Sequence, residues 1–85
     1  MKEKEIGYVS KFFGGISVAA IEITADELSV GDTIHIRGHT TELKMKVDSI
    51  QVEHETVETA KKGDSIGVKV TEKARRKDKV YKLAD

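Results

Sequence analysis

Apolar and polar residues alternate along most of this chain. Residues 33–37 carry isoleucine at every second position, and residues 65–70 repeat the pattern with isoleucine and valine. Successive side chains of a β-strand point to opposite faces, so this period of two predicts strands with one buried face. No stretch shows the period of about 3.6 residues that an amphipathic helix requires. The pattern therefore predicts an all-β protein.

Two apolar runs near the start of the chain predict a hairpin. They cover residues 5–13 and 16–24 and are separated by Gly14 and Gly15. Glycine supplies, without steric cost, the positive φ that a tight hairpin turn needs. We therefore expect a hairpin over residues 5–24 with its turn at the two glycines.

The apolar phase changes in the middle of the chain. Leu43, Met45 and Val47 occupy odd positions, whereas Ile50 and Val52 occupy even positions. A continuous strand would send half of these side chains into water, so a β-bulge or a sharp bend is predicted at Asp48 and Ser49. Bends of this kind are typical of barrels and strongly coiled sheets.

The dipeptide Gly-Asp precedes two of the predicted strands, as Gly31-Asp32 and Gly63-Asp64. Glycine permits a left-handed backbone, and the aspartate carboxylate accepts hydrogen bonds from nearby backbone amides. One aspartate for each turn is too few for a calcium loop, so we interpret both pairs as structural turns. Near the end, Lys77 occupies the glycine position before Asp78, which predicts either a strained backbone at the lysine or a different turn.

Length and composition fit one small domain over residues 1–85. Hydrophobic residues make up 38% and charged residues 35%, and the chain has no cysteine. A small secreted domain without disulfides is unusual, which favours the cytoplasm. No apolar run is long enough to span a membrane, so no membrane contact is expected. The formal net charge of +0 excludes a strong overall attraction to nucleic acid, so RNA binding would need a local patch.

The turn spacing resembles a known family. Residues 28–34 follow the pattern L-x-V-G-D-x-[IV], and residues 60–68 follow A-x-x-G-D-x-[IV]-G-[IVL]. This order resembles the second domain of translation GTPases such as elongation factor Tu, and the small stand-alone translation elongation factor-like proteins. It also resembles the C-terminal barrel appended to some peptidases of the U32 family. The resemblance implies a small closed Greek-key β-barrel of about six antiparallel strands, although Lys77 departs from the expected closing glycine.

The chain lacks the phosphate loop G-x-x-x-x-G-K-[ST], so nucleotide hydrolysis is not expected. No serine lies in a G-x-S-x-G elbow, and we predict a protein that is not an enzyme and needs no cofactor. His35 and His39 are about 13 Å apart on an extended strand, too far to share a metal unless the chain turns at Gly38. We therefore interpret the histidines, including His54, as exposed and solvated, and predict no metal site.

A basic stretch near the end is the first candidate site. Positive charges and one aromatic ring could contact a phosphate backbone and stack on a base. The candidate RNA-binding residues are Lys73, Arg75, Arg76, Lys77, Lys79, Tyr81 and Lys82. The alternative is a solvated loop, since acidic residues dilute the charge.

Phe12 and Phe13 form the second candidate site, at the tip of the predicted hairpin. Alternation allows only one of the two rings to enter the core, and the other is a candidate for partner contact or for packing at the barrel end.

These candidate sites lead to two hypotheses about function. The first is a non-catalytic module that contacts RNA or the ribosome. The alternative is an accessory barrel that docks on a partner enzyme such as a U32-type peptidase.

Overall fold

The computed structural model describes residues 2–84, which form ten β-strands and no helix. The all-β prediction is confirmed, and within this range no helix is long and apolar enough to cross a membrane. The strands are β1 (Lys2–Phe13), β2 (Val18–Ile23), β3 (Glu27–Ser29), β4 (Thr33–Arg37), β5 (Glu42–Lys46), β6 (Ile50–Val52), β7 (Glu55–Val57), β8 (Thr59–Lys61), β9 (Ser65–Lys69) and β10 (Lys79–Ala84).

Eight strands form one antiparallel sheet in the order β5-β4-β10-β1-β2-β9-β6-β7. The remaining pair, β3 and β8, forms a separate two-stranded ladder. The strands at the two ends of the chain, β1 and β10, lie side by side at the centre of the large sheet. The first and last segments therefore support each other through backbone hydrogen bonds.

The predicted closed barrel of about six strands is wrong. Within residues 2–84, β5 and β7 are the free edges of the large sheet, which does not close on itself. Short turns divide the expected strands: Glu53 and His54 both adopt positive φ (50° and 67°) and fold β7 back onto β6. Beyond β5, the backbone of Val47 bonds to Gly31 and Asp32 in a loop, so no further strand continues that edge.

The hairpin of β1 and β2 is confirmed, but its turn differs from the prediction. Four residues, Gly14 to Ser17, connect the strands, and Phe13 pairs with Val18. The amide of Ile16 donates to the carbonyl of Phe13, and the positive φ of 54° belongs to Ser17. Gly14 and Gly15 do not supply the left-handed backbone, because a four-residue loop built around a type I turn does not require it there.

One hydrophobic core lies inside the curved sheet. The predicted change of apolar phase is confirmed as a bend, because β5 ends at Lys46 and β6 begins at Ile50 on a different part of the sheet. The largest fully buried side chains are Ile6, Val9, Ile21, Leu28, Ile34, Ile36, Leu43, Val47, Ile50, Val68 and Val80. Burying such aliphatic side chains stabilises the fold by about 1.5–3 kcal/mol each.

Three turns share one geometry. In each, an aspartate carboxylate accepts a hydrogen bond of 2.8 Å from the amide three residues earlier. The three aspartates are Asp32, Asp64 and Asp78. Gly31 (φ 98°), Gly63 (φ 97°) and Lys77 (φ 77°) precede them with a left-handed backbone. The structural interpretation of the Gly-Asp pairs is therefore supported, and the lysine turn is the same turn with a strained residue.

Candidate docking surfaces

An apolar groove lies beside the β1–β2 hairpin, on the outer face of the sheet. Its volume is about 440 Å³. Two small residues, Ala20 on β2 and Gly67 on β9, pair across the sheet and line it. Phe13 and Ile16 also line the groove from the hairpin side, and the β6–β7 turn contributes His54. The groove is thus an indentation with exposed apolar side chains near one end.

The two phenylalanines have different surroundings. Phe12 is partly buried and packs against the core, whereas Phe13 is 41% exposed. Ile16 is 65% exposed and is a member of this surface that the sequence analysis did not single out. The sequence placed Ile16 at the start of the second apolar run, directly after the predicted turn at Gly14 and Gly15. We call the surface formed by Phe13, Ile16, Val18, Ala20 and Gly67 the hairpin groove.

The basic stretch is divided by the fold. Residues 71–78 form a loop in which Lys73, Arg75, Arg76 and Lys77 are exposed. The loop is held down by Ala74, which is 1% exposed. Its backbone also bonds to β1, because the amide of Lys77 donates to the carbonyl of Val9.

The other three residues of the predicted RNA site are engaged elsewhere. Lys79 pairs with Glu5 at 3.4 Å, and Lys82 donates to the carbonyl of Glu27 at 2.8 Å. Tyr81 lies on β10 opposite His35 of β4. The fold thus keeps part of the basic stretch together and uses the rest within the sheet.

Asp26 is a second partner of Lys82, at 4.0 Å, and pairs with Lys4 at 3.2 Å. The hydrogen bond from Lys4, together with the charges of Lys82 and Lys4, lowers the pKa of Asp26. These contacts use surface charges to join β1 and β10 to the segment before β3.

His35 is buried, contrary to the expectation that all three histidines are solvated. It is 5% exposed, and its Nδ1 lies 2.8 Å from the Glu3 carboxylate. Its Nε2 has no hydrogen-bond partner in residues 2–84, and the nearest carboxylate oxygen, from Glu42, lies 3.7 Å away. The hydrogen bond with His35 lowers the pKa of Glu3, with smaller contributions from the charges of Lys44 and Arg37. Periodicity placed His35 on the polar face but did not show that the start of β1 covers it.

The histidine and carboxylate side chains around His35 do not form a metal centre. In the part of the chain that the structure describes, no group of three His, Asp or Glu side chains has an arrangement suited to a metal ion. Two serine hydroxyls have structural partners: Ser10 donates to the carbonyl of Ala20, and Ser29 bonds to Thr59. Two surfaces remain without an assigned role: the hairpin groove and the exposed basic residues of the loop formed by residues 71–78.

Comparison with known proteins relates the chain to proteases. A segment of an uncharacterized protease of Methanocaldococcus jannaschii is 46% identical over 82 residues, which is 95% of this chain and 20% of the relative. A segment of a collagenase of Porphyromonas gingivalis is 44% identical over 79 residues, which is 92% of this chain and 22% of the relative. The chain thus spans about a fifth of the length of these relatives. No protein-family model matches it.

The same fold occurs in a domain of a protein assigned to the U32 peptidases. Two crystal structures of the C-terminal domain of this Geobacillus thermoleovorans protein match with TM-scores of 0.87 and 0.84 at 14% sequence identity. The matches cover 95% and 91% of this chain, and 93% and 96% of the two structures.

The comparisons correct the predicted resemblance to translation factors and leave RNA binding without support. The Gly-Asp turns misled the prediction because they report a local backbone geometry that different proteins share. The chain is similar to one segment of proteases and has the fold of a U32 peptidase C-terminal domain.

Proposed function

We propose that this chain is a non-catalytic accessory module that docks on the peptidase portion of a U32-type protease. The observation that carries the proposal is the match of almost the whole chain to about a fifth of two proteases. The remaining length of those proteins is ample for a separate catalytic unit. The absence of cysteine from this chain favours a cytoplasmic location for the module.

The hairpin groove is the proposed contact with the peptidase portion. Phe13 and Ile16 expose apolar area at the end of a hairpin whose strands are fixed by backbone pairing. Apolar and aromatic side chains on a fixed scaffold bind well because little conformational entropy is lost on association. A partner that covers Phe13 and fills the groove above Gly67 would remove this surface from water.

The direct test is binding to the Porphyromonas gingivalis collagenase from which the matching segment of 79 residues has been removed. We expect a one-to-one complex in isothermal titration calorimetry and analytical ultracentrifugation. The double variant Phe13→Ser/Ile16→Ser should weaken it by about tenfold or more, because truncating a buried anchor costs more than about 1 kcal/mol.

The matched control changes two apolar residues with similar exposure elsewhere. Tyr8 and Val30 are 41% and 42% exposed and do not line the hairpin groove. The variant Tyr8→Ser/Val30→Ser should bind like the unmodified chain. The absence of any complex with the unmodified chain would refute the docking proposal, and an equal loss in both variants would refute the choice of surface.

A further inference from the structure

A second groove lies between the β1–β2 hairpin and the loop formed by residues 71–78. Its volume is about 580 Å³, and its lining residues are Lys11, Phe12, Lys73, Ala74, Arg75 and Arg76. Four of these six residues are cations and none is acidic. We call this surface the cationic groove.

The backbone holds the cationic groove in a fixed shape. Ala74 is buried beneath the loop, and the carboxylate of Asp78 accepts from the amide of Arg75 at 2.8 Å. The carbonyl of Asp78 in turn accepts from the amide of Val9, so the loop is attached to β1. The base of the loop is therefore held in place while its charged side chains point to solvent.

The cations of this groove differ from two basic residues of β10. Lys79 and Lys82 each pair with a carboxylate of the same chain. Among residues 2–84, none of the four groove cations has a carboxylate within ion-pair distance. Clustered like charges repel each other, and an anionic partner relieves that repulsion and is attracted at a distance.

We propose that the cationic groove takes an acidic segment of the same peptidase portion, with its carboxylates on Arg75 and Arg76 and one apolar side chain against Phe12. Arginine binds carboxylates through two parallel hydrogen bonds, and Phe12 offers an apolar surface between the charges. The inference rests on the proposed function and adds the chemistry of the segment that the peptidase portion contributes.

An acidic protein segment fits this groove better than RNA does. RNA recognition by a basic patch uses exposed rings on which bases stack. Phe12 is partly buried against the core, and Tyr81 lies on β10 with its ring 6.5 Å from His35 and 5.8 Å from the Arg37 guanidinium. The groove therefore offers charge and one apolar contact, which a peptide with acidic and apolar residues satisfies.

The fold supplies a matched control for this proposal. Lys61 and Lys62 precede Gly63-Asp64 in the same type of turn in which Arg75 and Arg76 precede Lys77-Asp78. Both dibasic pairs are exposed. Reversing either pair changes the net charge equally, so a difference between the two variants reports on location and not on total charge.

The experiment measures binding to the truncated collagenase at about 50 mM and about 300 mM salt, which span weak and strong screening. We expect Arg75→Glu/Arg76→Glu to weaken the complex by about tenfold or more at low salt and Lys61→Glu/Lys62→Glu to have little effect. Amide NMR spectra confirm that both variants are folded. If the unmodified complex forms and the two variants bind equally, the inference is wrong while the proposed function stands.

A peptide experiment tests the binding chemistry of the cationic groove separately from the proposed function, because it does not require a complex with the peptidase portion. The probes are a glutamate-rich octapeptide with one leucine, its glutamine counterpart and an RNA octamer, titrated into the unmodified chain. Shifts of the Arg75 and Arg76 amides with the glutamate peptide alone support the inference. No shift with that peptide, or tighter binding of the RNA, overturns it.

Discussion

At the scale of single residues, one turn carries a strained lysine. The turns at Asp32 and Asp64 place glycine before the aspartate, whereas the turn at Asp78 has Lys77 with φ 77°. A side chain in this left-handed conformation costs about 1–2 kcal/mol, which glycine avoids. The strain persists because Asp78 is buried and its backbone is bonded to β1.

We expect Lys77→Gly to raise the free energy of unfolding by roughly 0.5–1 kcal/mol, since relief of the left-handed backbone exceeds the entropy that glycine adds to the unfolded chain. Urea denaturation of the purified chain measures the change. Gly63→Ala is the control, because it introduces a Cβ at φ 97° and should destabilise by roughly 1 kcal/mol. A Lys77→Gly variant that is no more stable than the unmodified chain would show that the left-handed backbone at Lys77 does not destabilise the fold.

Local residue chemistry made the aspartate turns predictable, because both partners of each hydrogen bond lie three residues apart. The burial of His35 was not predictable, since Glu3 lies 32 residues earlier and meets it only through the pairing of β1, β10 and β4. The same limit applies to Gly38. A Cβ there would collide with the carboxylate of Asp78, a constraint that appears only in the folded chain.

At the scale of elements, β1 holds the sheet together. It pairs with β10 along one edge and with β2 along the other, and its bulge between Glu5 and Gly7 lies where a Cβ on Gly7 would strike the carbonyl oxygen of Glu22. Its first residues also cover β4 through the contact of Glu3 with His35.

We expect Glu3→Gln to make the free energy of unfolding less dependent on pH in the acidic range. The pKa of Glu3 is lowered from its ordinary value of 4.5, chiefly by the His35 hydrogen bond, so the carboxylate stabilises the fold above that pH. This contribution disappears as pH falls through the folded-state pKa. The difference in urea midpoint between the unmodified chain and the variant should therefore shrink as pH is lowered from about 6 to about 2.

The control for this pH dependence is Glu55→Gln, on an exposed side chain of β7 that forms no ion pair in residues 2–84. Its difference from the unmodified chain should stay small at every pH. A Glu3→Gln variant whose midpoint difference is constant across the range would show that the His35 contact does not stabilise the ionised carboxylate.

Alternation predicted strands with one buried face, such as β9, and the bend before Ile50. It did not predict the number of strands or whether the sheet closes into a barrel. The β6–β7 turn uses Glu53 and His54 at positive φ, residues that carry no turn signal, so tertiary pairing decided their conformation. Strand order also depends on contacts between distant segments, such as β1 with β10, which a local pattern does not contain.

At the scale of the whole molecule, a neutral chain carries a localised positive surface. The formal net charge of +0 does not show this surface. Within residues 2–84, Lys4, Lys79 and Lys82 pair with carboxylates, whereas the cations of the cationic groove do not. Most of these cations and both phenylalanines were predictable from the sequence. The difference between paired and unpaired lysines was not, and neither were the roles of Lys11 and Ile16, because the hairpin and the loop set their neighbours in space.

The central claim, that this chain acts as an accessory module of a protease, is tested most directly by collagen cleavage by a chimera. The chimera is the Porphyromonas gingivalis collagenase with its matching segment of 79 residues replaced by this chain. We expect the truncated collagenase to lose most of its rate, the chimera to recover a substantial part of it, and this chain alone to cleave nothing. Cleavage by the chain alone, or equal rates for the truncated enzyme and the chimera, would contradict the claim.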